Sequence, residues 1–273
     1  MTKAKIYSKI NITLFCGEKE GGYHALDSIV CSTSLYDEVT VSQSDKTLTE
    51  GNIPEFCKDK FSAALNYLIT RFSLPPIRAE AKSHIPLGCG MGGSSSLIAG
   101  LIDAVCAEFV PGITYEEKCG IADEFGSDAA FMLRGGAGRI KGRSRVSEFF
   151  SVAPVDALVV RKGFSDTKSV FKAYDEAPQS MDEEYGDALV RKLKNGRIDW
   201  FFSARNVLTD AAVKLDPYIG EALSLYPGAF MTGSGSGVVC AFASQKVKED
   251  FEARGFECYP VTIGDFKAEV SKF

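Results

Sequence analysis

The chain has 273 residues, 45% of them hydrophobic and 25% charged, enough to bury one large core or two modest ones and too apolar for a disordered protein. Its formal charge of -5 excludes a bulk nucleic-acid binder, which needs a basic surface to meet phosphates. No run approaches the roughly 18 apolar residues of a membrane span, and residues 1–11 carry three lysines without a leader-like apolar core, so a cytoplasmic protein is expected. Eight cysteines form no C-x-x-C pair and have only His24 and His84 for company, which points to reduced thiols packed as small apolar residues rather than to disulfides or a metal centre.

In chain order, "KIYSKINITLFCG" alternates as a strand with Ile6, Ile10, Ile12 and Leu14 on one face and Tyr7, Lys9, Asn11 and Thr13 on the other. Lys9 and Asn11 therefore point the same way. After the turn "GEKEGGYH", the run "SIVCSTSLYDEVTVSQ" predicts one or two strands with a break near Tyr36 and Asp37. Residues 55–72 read as a helix and "IRAEAK" as a strand entering the loop "PLGCGMGGSSS" at 86–96. Beyond that loop Leu97, Ile98, Leu101, Ile102, Val105 and Phe109 recur at the three- and four-residue spacing of an amphipathic helix. Thr114 and Glu117 are spaced as the capping box of the next helix, which Gly126 ends. A short helix beginning near Asp128, a double-glycine turn and a basic strand or hairpin follow.

From about residue 154 the pattern restarts with "DALVVRK". Helical stretches to about 226, the strands "GAFMT" and "VVCAFA" around the loop "GSGSG", a helix over 246–254 and the strand "FECYPV" complete it. Strand, helices, two strands, helix, strand is the order of a ferredoxin-like split βαβ layer, so the expected fold is α/β with domains at 1–153 and 154–273.

Successive backbone N–H groups in a glycine loop that feeds a helix N-terminus form an anion site suited to phosphate. Gly88, Gly90 and Gly93 match G-x-G-x-x-G, but the next element is another helix, where a dinucleotide fold requires a strand ending in an acidic residue. A Walker A loop is excluded because this loop contains no lysine. The second glycine loop at 233–237, together with Lys9, Asn11 and Asp128, makes a constellation rather than a single motif.

"SKIN", "GGYHALDS", "IPLGCGMGGSSS", "FGSDAAFMLRGGAG", "FSDTKSVF" and "MTGSGSG" follow one another as they do in the GHMP kinases, and from about residue 4 to 245 the chain resembles that family. The pairing of "GYH" with "SD" is most similar to the branch acting on a cytidylyl sugar alcohol in the non-mevalonate isoprenoid route. The resemblance implies two α/β domains with ATP and a small-molecule substrate between them, a need for Mg²⁺, and phosphorylation of a substrate hydroxyl. It assigns Lys9 and Asp128 to catalysis, and Pro86, Gly88, Gly90, Gly92, Gly93, Ser94, Ser95 and Ser96 to the nucleotide, Ser95 being also a candidate Mg²⁺ ligand. Asn11, Tyr23, His24, Thr167, Phe171, Gly233, Ser234 and Gly235 are assigned to the substrate, with Tyr23 and Phe171 sandwiching a cytosine. The chain departs from the family pattern at Leu97 and Ile98, at Ala129 and Ala130, and at Val207.

The basic run Arg134, Arg139, Lys141, Arg143 and Arg145 reads either as a lure for a polyanionic substrate or as a solvated hairpin. Tyr36 and Asp37 read as surface. No nucleic-acid or membrane partner is expected, and the chain is expected to be a monomer or homodimer. A mevalonate- or homoserine-type kinase and a non-catalytic nucleotide-binding protein remain alternatives.

Overall fold

A computed structural model describes residues 1–20, 22–126, 128–142 and 145–273. In chain order the strands are β1 (Thr2–Asn11), β2 (Thr13–Glu20), β3 (Tyr23–Gln43), β4 (Leu48–Gly51), β5 (Ile77–Lys82), β6 (Ala137–Gly142), β7 (Arg145–Phe150), β8 (Val155–Arg161), β9 (Arg205–Asn206), β10 (Phe230–Met231), β11 (Val238–Ala241), β12 (Glu257–Gly264) and β13 (Glu269–Lys272). The helices are α1 (Glu55–Phe72), α2 (Gly93–Phe109), α3 (Tyr115–Asp123), α4 (Ala129–Met132), α5 (Thr167–Tyr174), α6 (Glu183–Lys194), α7 (Thr209–Leu215), α8 (Pro217–Leu225) and α9 (Gln245–Ala253).

The strands after residue 154 stand in the spatial order β10-β11-β8-β12, all antiparallel, which is the split βαβ arrangement expected from the sequence. The sheet does not stop there. Strand β12 also pairs β3 through Ile263↔Thr33, and β13 returns to pair β1, so one mixed sheet runs through both halves of the chain. Two clusters of buried apolar side chains flank it, one built around α1, α2 and β1, the other around α5, α7 and α8.

The run after the first turn is a single strand of 21 residues rather than one broken at Tyr36 and Asp37. Its irregularity lies just upstream: Tyr7 faces Tyr36 but Lys9 faces Ser32, so β3 carries extra residues against β1. That bulge coincides with the point where Thr33 turns to pair β12. Helix α2 begins at Gly93 behind the glycine loop and buries Leu97, Ile98, Leu101, Ile102 and Val105, as its spacing predicts. The α3 capping box is present, with the Glu117 N–H on Thr114 Oγ1 at 3.2 Å and the Thr114 N–H on Glu117 Oε2 at 2.8 Å. All eight cysteines are free thiols, and only Cys258 is more than slightly exposed. Among the described residues no helix is long and apolar enough to cross a membrane.

Candidate functional site

The two glycine loops lie back to back. Gly88, Gly90 and Gly92 have φ of +68°, +66° and +80°, the left-handed region that favours glycine. A Cβ at Gly90 would sit 2.1 Å from the Thr232 carbonyl oxygen, and one at Gly237 would sit 2.2 Å from that of Cys89, so side chains at either place would push the loops apart. The Ser236 N–H donates to the Gly88 carbonyl at 2.8 Å, and the Asn206 amide holds the second loop by donating to the carbonyls of Gly233 (2.7 Å) and Met231 (3.1 Å).

Between these loops and β1 opens a cleft of about 570 Å³. Its walls include Lys9, Asn11, Pro86, Gly88, Gly90, Gly92, Gly93, Ser94, Ser95, Asp128, Thr167, Phe171, Gly233, Ser234 and Gly235, so the structure gathers most of the residues singled out in the sequence. Strand β1 carries Lys9 to the cleft floor, where it is only 3% exposed. Its ammonium donates to Asn11 Oδ1 at 2.6 Å and lies 3.2 Å from Asp128 Oδ2. The Asn11 side chain is fixed in turn by donating to Ser28 Oγ at 2.7 Å, and Ser28 donates to the Thr13 carbonyl at 2.5 Å. Asp128 opens the short helix α4 without capping it through its side chain, which is 31% exposed. One carboxylate oxygen thus meets an ammonium at the edge of the cleft while the group keeps contact with solvent.

Three of the expected residues do not reach this cleft. Ser96 is fully buried and donates to the Gly93 carbonyl at 2.7 Å and to the Asp37 carboxylate, away from any ligand at the loop. Tyr23 is 61% exposed and stands outside the cleft wall. His24 lies behind Phe171, ring stacked on ring with centroids 5.7 Å apart. Both its nitrogens are engaged, Nδ1 with the Gly17 carbonyl and Nε2 with Asp175 Oδ1, each at 2.8 Å.

The basic run follows the hairpin reading at most of its described positions: β6 pairs antiparallel with β7, and Arg134 and Arg145 are exposed, whereas Arg139 departs from it. Arg139 is buried and grips Asp27 with two hydrogen bonds of 2.7 and 2.6 Å. Lys141 pairs Glu183 at 2.9 Å, Arg145 lies 3.4 Å from Asp123, and the Arg134 guanidinium stacks over the Phe149 ring. Arg143 lies outside the described residues, as does Ser127 beside Asp128. The departures at Leu97, Ile98, Ala129, Ala130 and Val207 are all core positions, so they alter packing and not the cleft wall.

Asp37, read as surface from the sequence, is 1% exposed. It accepts the N–H groups of His84 (2.6 Å) and Ile85 (2.9 Å) and the Ser96 hydroxyl, so one carboxylate ties the entry of the glycine loop to the first turn of α2. Burial pushes this carboxyl above its ordinary value, against the pull of those three donors. The signal was present in the alternation: Asp37 has the strand phase of Val39 and Val41, both core residues. Ser165, which also lines the cleft, was missed because nothing in its spacing marks it.

The model of the GHMP kinases N terminal domain matches residues 59–136. The chain is 30% identical to the 4-diphosphocytidyl-2-C-methyl-D-erythritol kinase of Moorella thermoacetica, over 94% of this chain and 95% of that protein. It is 32% identical to the enzyme of the same name from Thermobifida fusca, over 88% and 86%. Among solved structures it is similar to a 4-(cytidine 5'-diphospho)-2C-methyl-D-erythritol kinase (TM-score 0.75, 23% identity, 96% of this chain and 100% of that one). It is also similar to the homoserine kinase of Cytophaga hutchinsonii (TM-score 0.73, 17% identity, 99% and 97%). At those identities the structures establish the fold, and the sequence relatives establish more: this chain belongs to the 4-diphosphocytidyl-2-C-methyl-D-erythritol kinase family of the GHMP kinases.

Proposed function

We propose that Lys9 and Asp128 carry the phosphoryl transfer of this ATP-dependent small-molecule kinase, whose acceptor is a hydroxyl of 4-diphosphocytidyl-2-C-methyl-D-erythritol. The observation that supports it best is the pair itself, an ammonium 3.2 Å from a carboxylate that still faces the cleft. The substrate hydroxyl lies against Asp128, which accepts its proton as the oxygen attacks the γ-phosphorus. The new O–P bond forms in line with the breaking bond to ADP, and Lys9 meets the negative charge that develops on the transferring group. Asn11 holds the Lys9 ammonium in place, so a neutral side chain sets the direction of a charged one.

GHMP kinases take the phosphoryl group from ATP. Its phosphates lie along the loop from Pro86 to Ser95, where backbone N–H groups and the positive end of α2 face the cleft. The hydroxyls of Ser94 and Ser95 are hard oxygen donors suited to Mg²⁺. No cluster of three or more acidic, histidine or cysteine side chains stands ready for a metal among the described residues, which fits an ion held jointly with phosphates. When bound, Mg²⁺ supplies neutralisation of the phosphate charge.

The cytosine lies on the ring of Phe171, and His24 serves by backing that ring rather than by bonding the base edge. Thr167 Oγ1 and Ser234 Oγ, 2.9 Å apart, hold the middle of the substrate from α5 and the second loop. Residues 1–153 and 154–273 then form the nucleotide and substrate domains, sharing one sheet.

The test is turnover of a small panel with ATP: the cytidylyl erythritol substrate, mevalonate and homoserine. Mg²⁺-dependent phosphorylation of the first in clear preference to the others is expected. Equal or better turnover of mevalonate would sink the substrate assignment.

A further inference from the structure

Helix α1 sends Lys60 toward the same corner of the molecule as the glycine loop. Its ammonium lies 3.5 Å from Ser94 Oγ and over Gly126, where a Cβ would come within 3.3 Å of Nζ and 3.5 Å of Ser95 Oγ. Gly126 thus leaves a gap that the Lys60 ammonium and the Ser95 hydroxyl both face, at the N-terminus of α2, a helix of 17 residues. The side chain is partly buried, and among the described residues no carboxylate stands within ion-pair distance of it. Burial holds the ammonium below its ordinary pKa, with the Asp128 carboxylate among the groups drawing it back up. A partly desolvated cation beside the positive end of a helix is an unbalanced arrangement, and what balances it is an anion held by both.

We propose that Lys60 is a direct contact for the polyphosphate of ATP, a second cation that reaches the nucleotide from α1 while Lys9 approaches the transferring group from β1. The inference rests on the assignment of the 86–95 loop as the phosphate site. Lysine suits the task because it acts as a point charge on a flexible stem and needs no fixed fork geometry. A hydrogen-bonded charge contact of this kind corresponds to a change of about 10- to 100-fold in binding.

The experiment is calorimetric binding of adenylyl imidodiphosphate and of adenosine to the wild-type chain, Lys60→Met and Lys60→Arg, with the melting temperature of each nucleotide-free protein. Lys60→Met should weaken the triphosphate analogue by about 10- to 100-fold while adenosine moves by less than about twofold. Lys60→Arg should keep most of the affinity. Nucleotide-free Lys60→Met should melt no lower than wild type, since it loses an unpaired ammonium and keeps the stem. Wild-type protein that binds neither ligand would overturn the loop assignment, and this inference with it. Normal wild-type binding with an unchanged Lys60→Met would overturn this inference alone. A loss shared equally by adenosine and the analogue would make Lys60 a packing residue and overturn it too.

Discussion

Lys9 and Arg139 are both nearly buried, and each meets a carboxylate close to the cleft, but the two contacts are finished to different degrees. Arg139 and Asp27 are each 2% exposed and joined by two hydrogen bonds, and the guanidinium also donates to the Glu183 carbonyl at 3.0 Å and to Asp187. Four of the five N–H donors of that fork are answered from within the protein. Lys9 has one amide oxygen and one carboxylate oxygen, and the partner carboxylate is 31% exposed toward the cleft. The closed cluster joins β3, β6 and α6 and stands outside the cleft wall. The open one keeps an acceptor available to a hydroxyl, which is the condition for proton transfer. Sequence alone had grouped Arg139 with possible substrate-attracting charges, whereas its completeness marks it as architecture.

The comparison breaks most sharply under substitution. Asp128→Asn preserves shape and removes the proton acceptor, so kcat should fall by roughly 10²- to 10⁴-fold with little change in substrate affinity or melting temperature. A near-normal kcat would mean that Asp128 only helps place the Lys9 ammonium. Arg139→Met should do the reverse. It leaves the Asp27 carboxylate buried without its partner and should cost about 3–5 kcal/mol in chemical denaturation. Asp27→Asn added to it should restore part of that loss, because the stranded charge is gone. Stability unchanged in Arg139→Met would erase the distinction between the two pairs.

Much of the scaffold was legible because it is local. The periodicity of α2, the capping box at Thr114 and the glycine loops are each contained within a few tens of residues, the split βαβ order is a succession of such local elements, and the structure has them in place. The shared direction of Lys9 and Asn11 followed from strand alternation and is now a 2.6 Å contact. What escaped is non-local. Arg139 and Asp27 lie 112 residues apart, Lys60 and Ser94 lie 34 apart, and β9 and β13 exist as strands only because β2 and β1 supply their partners. Ser96 was misplaced for a related reason: adjacent serines on a helix point in different directions, and the one facing inward found Asp37, whose burial only the assembled sheet reveals.

At the substrate end of the cleft, binding and stability should again separate. Phe171→Ala removes the proposed stacking face while leaving Lys9, Asp128 and both loops in place. Base stacking of about 1–3 kcal/mol corresponds to a rise of roughly 5- to 150-fold in KM for the cytidylyl substrate. The KM for ATP should hardly move. Phe171 is also packed against the second apolar cluster, so the melting temperature must be measured beside both constants. A large fall in melting temperature with equal weakening toward both substrates would identify Phe171 as packing and would remove the support for cytosine there.

The smallest effect tests the closed cluster most finely, because two ordinary physical tendencies oppose each other at one position. Gly186 lies within α6, where alanine in place of glycine should by helix propensity stabilise the chain by about 1 kcal/mol. A Cβ there would lie 2.4 Å from Arg139 Nη2 and 2.8 Å from its Cζ. A free arginine would swing away at little cost, but this one is held by Asp27, Asp187 and the Glu183 carbonyl, and Glu183 belongs to the same helix. Overpacking against a fixed group costs about 1–3 kcal/mol. Gly186→Ala should therefore be destabilising by about 1 kcal/mol net in denaturant titration. In the Arg139→Met background the obstacle is a thioether that can turn, so the same substitution should become neutral or stabilising. A Gly186→Ala effect of the same sign and size in both backgrounds would show that the guanidinium is not fixed where its contacts put it, and the contrast with Lys9 would lose its structural basis.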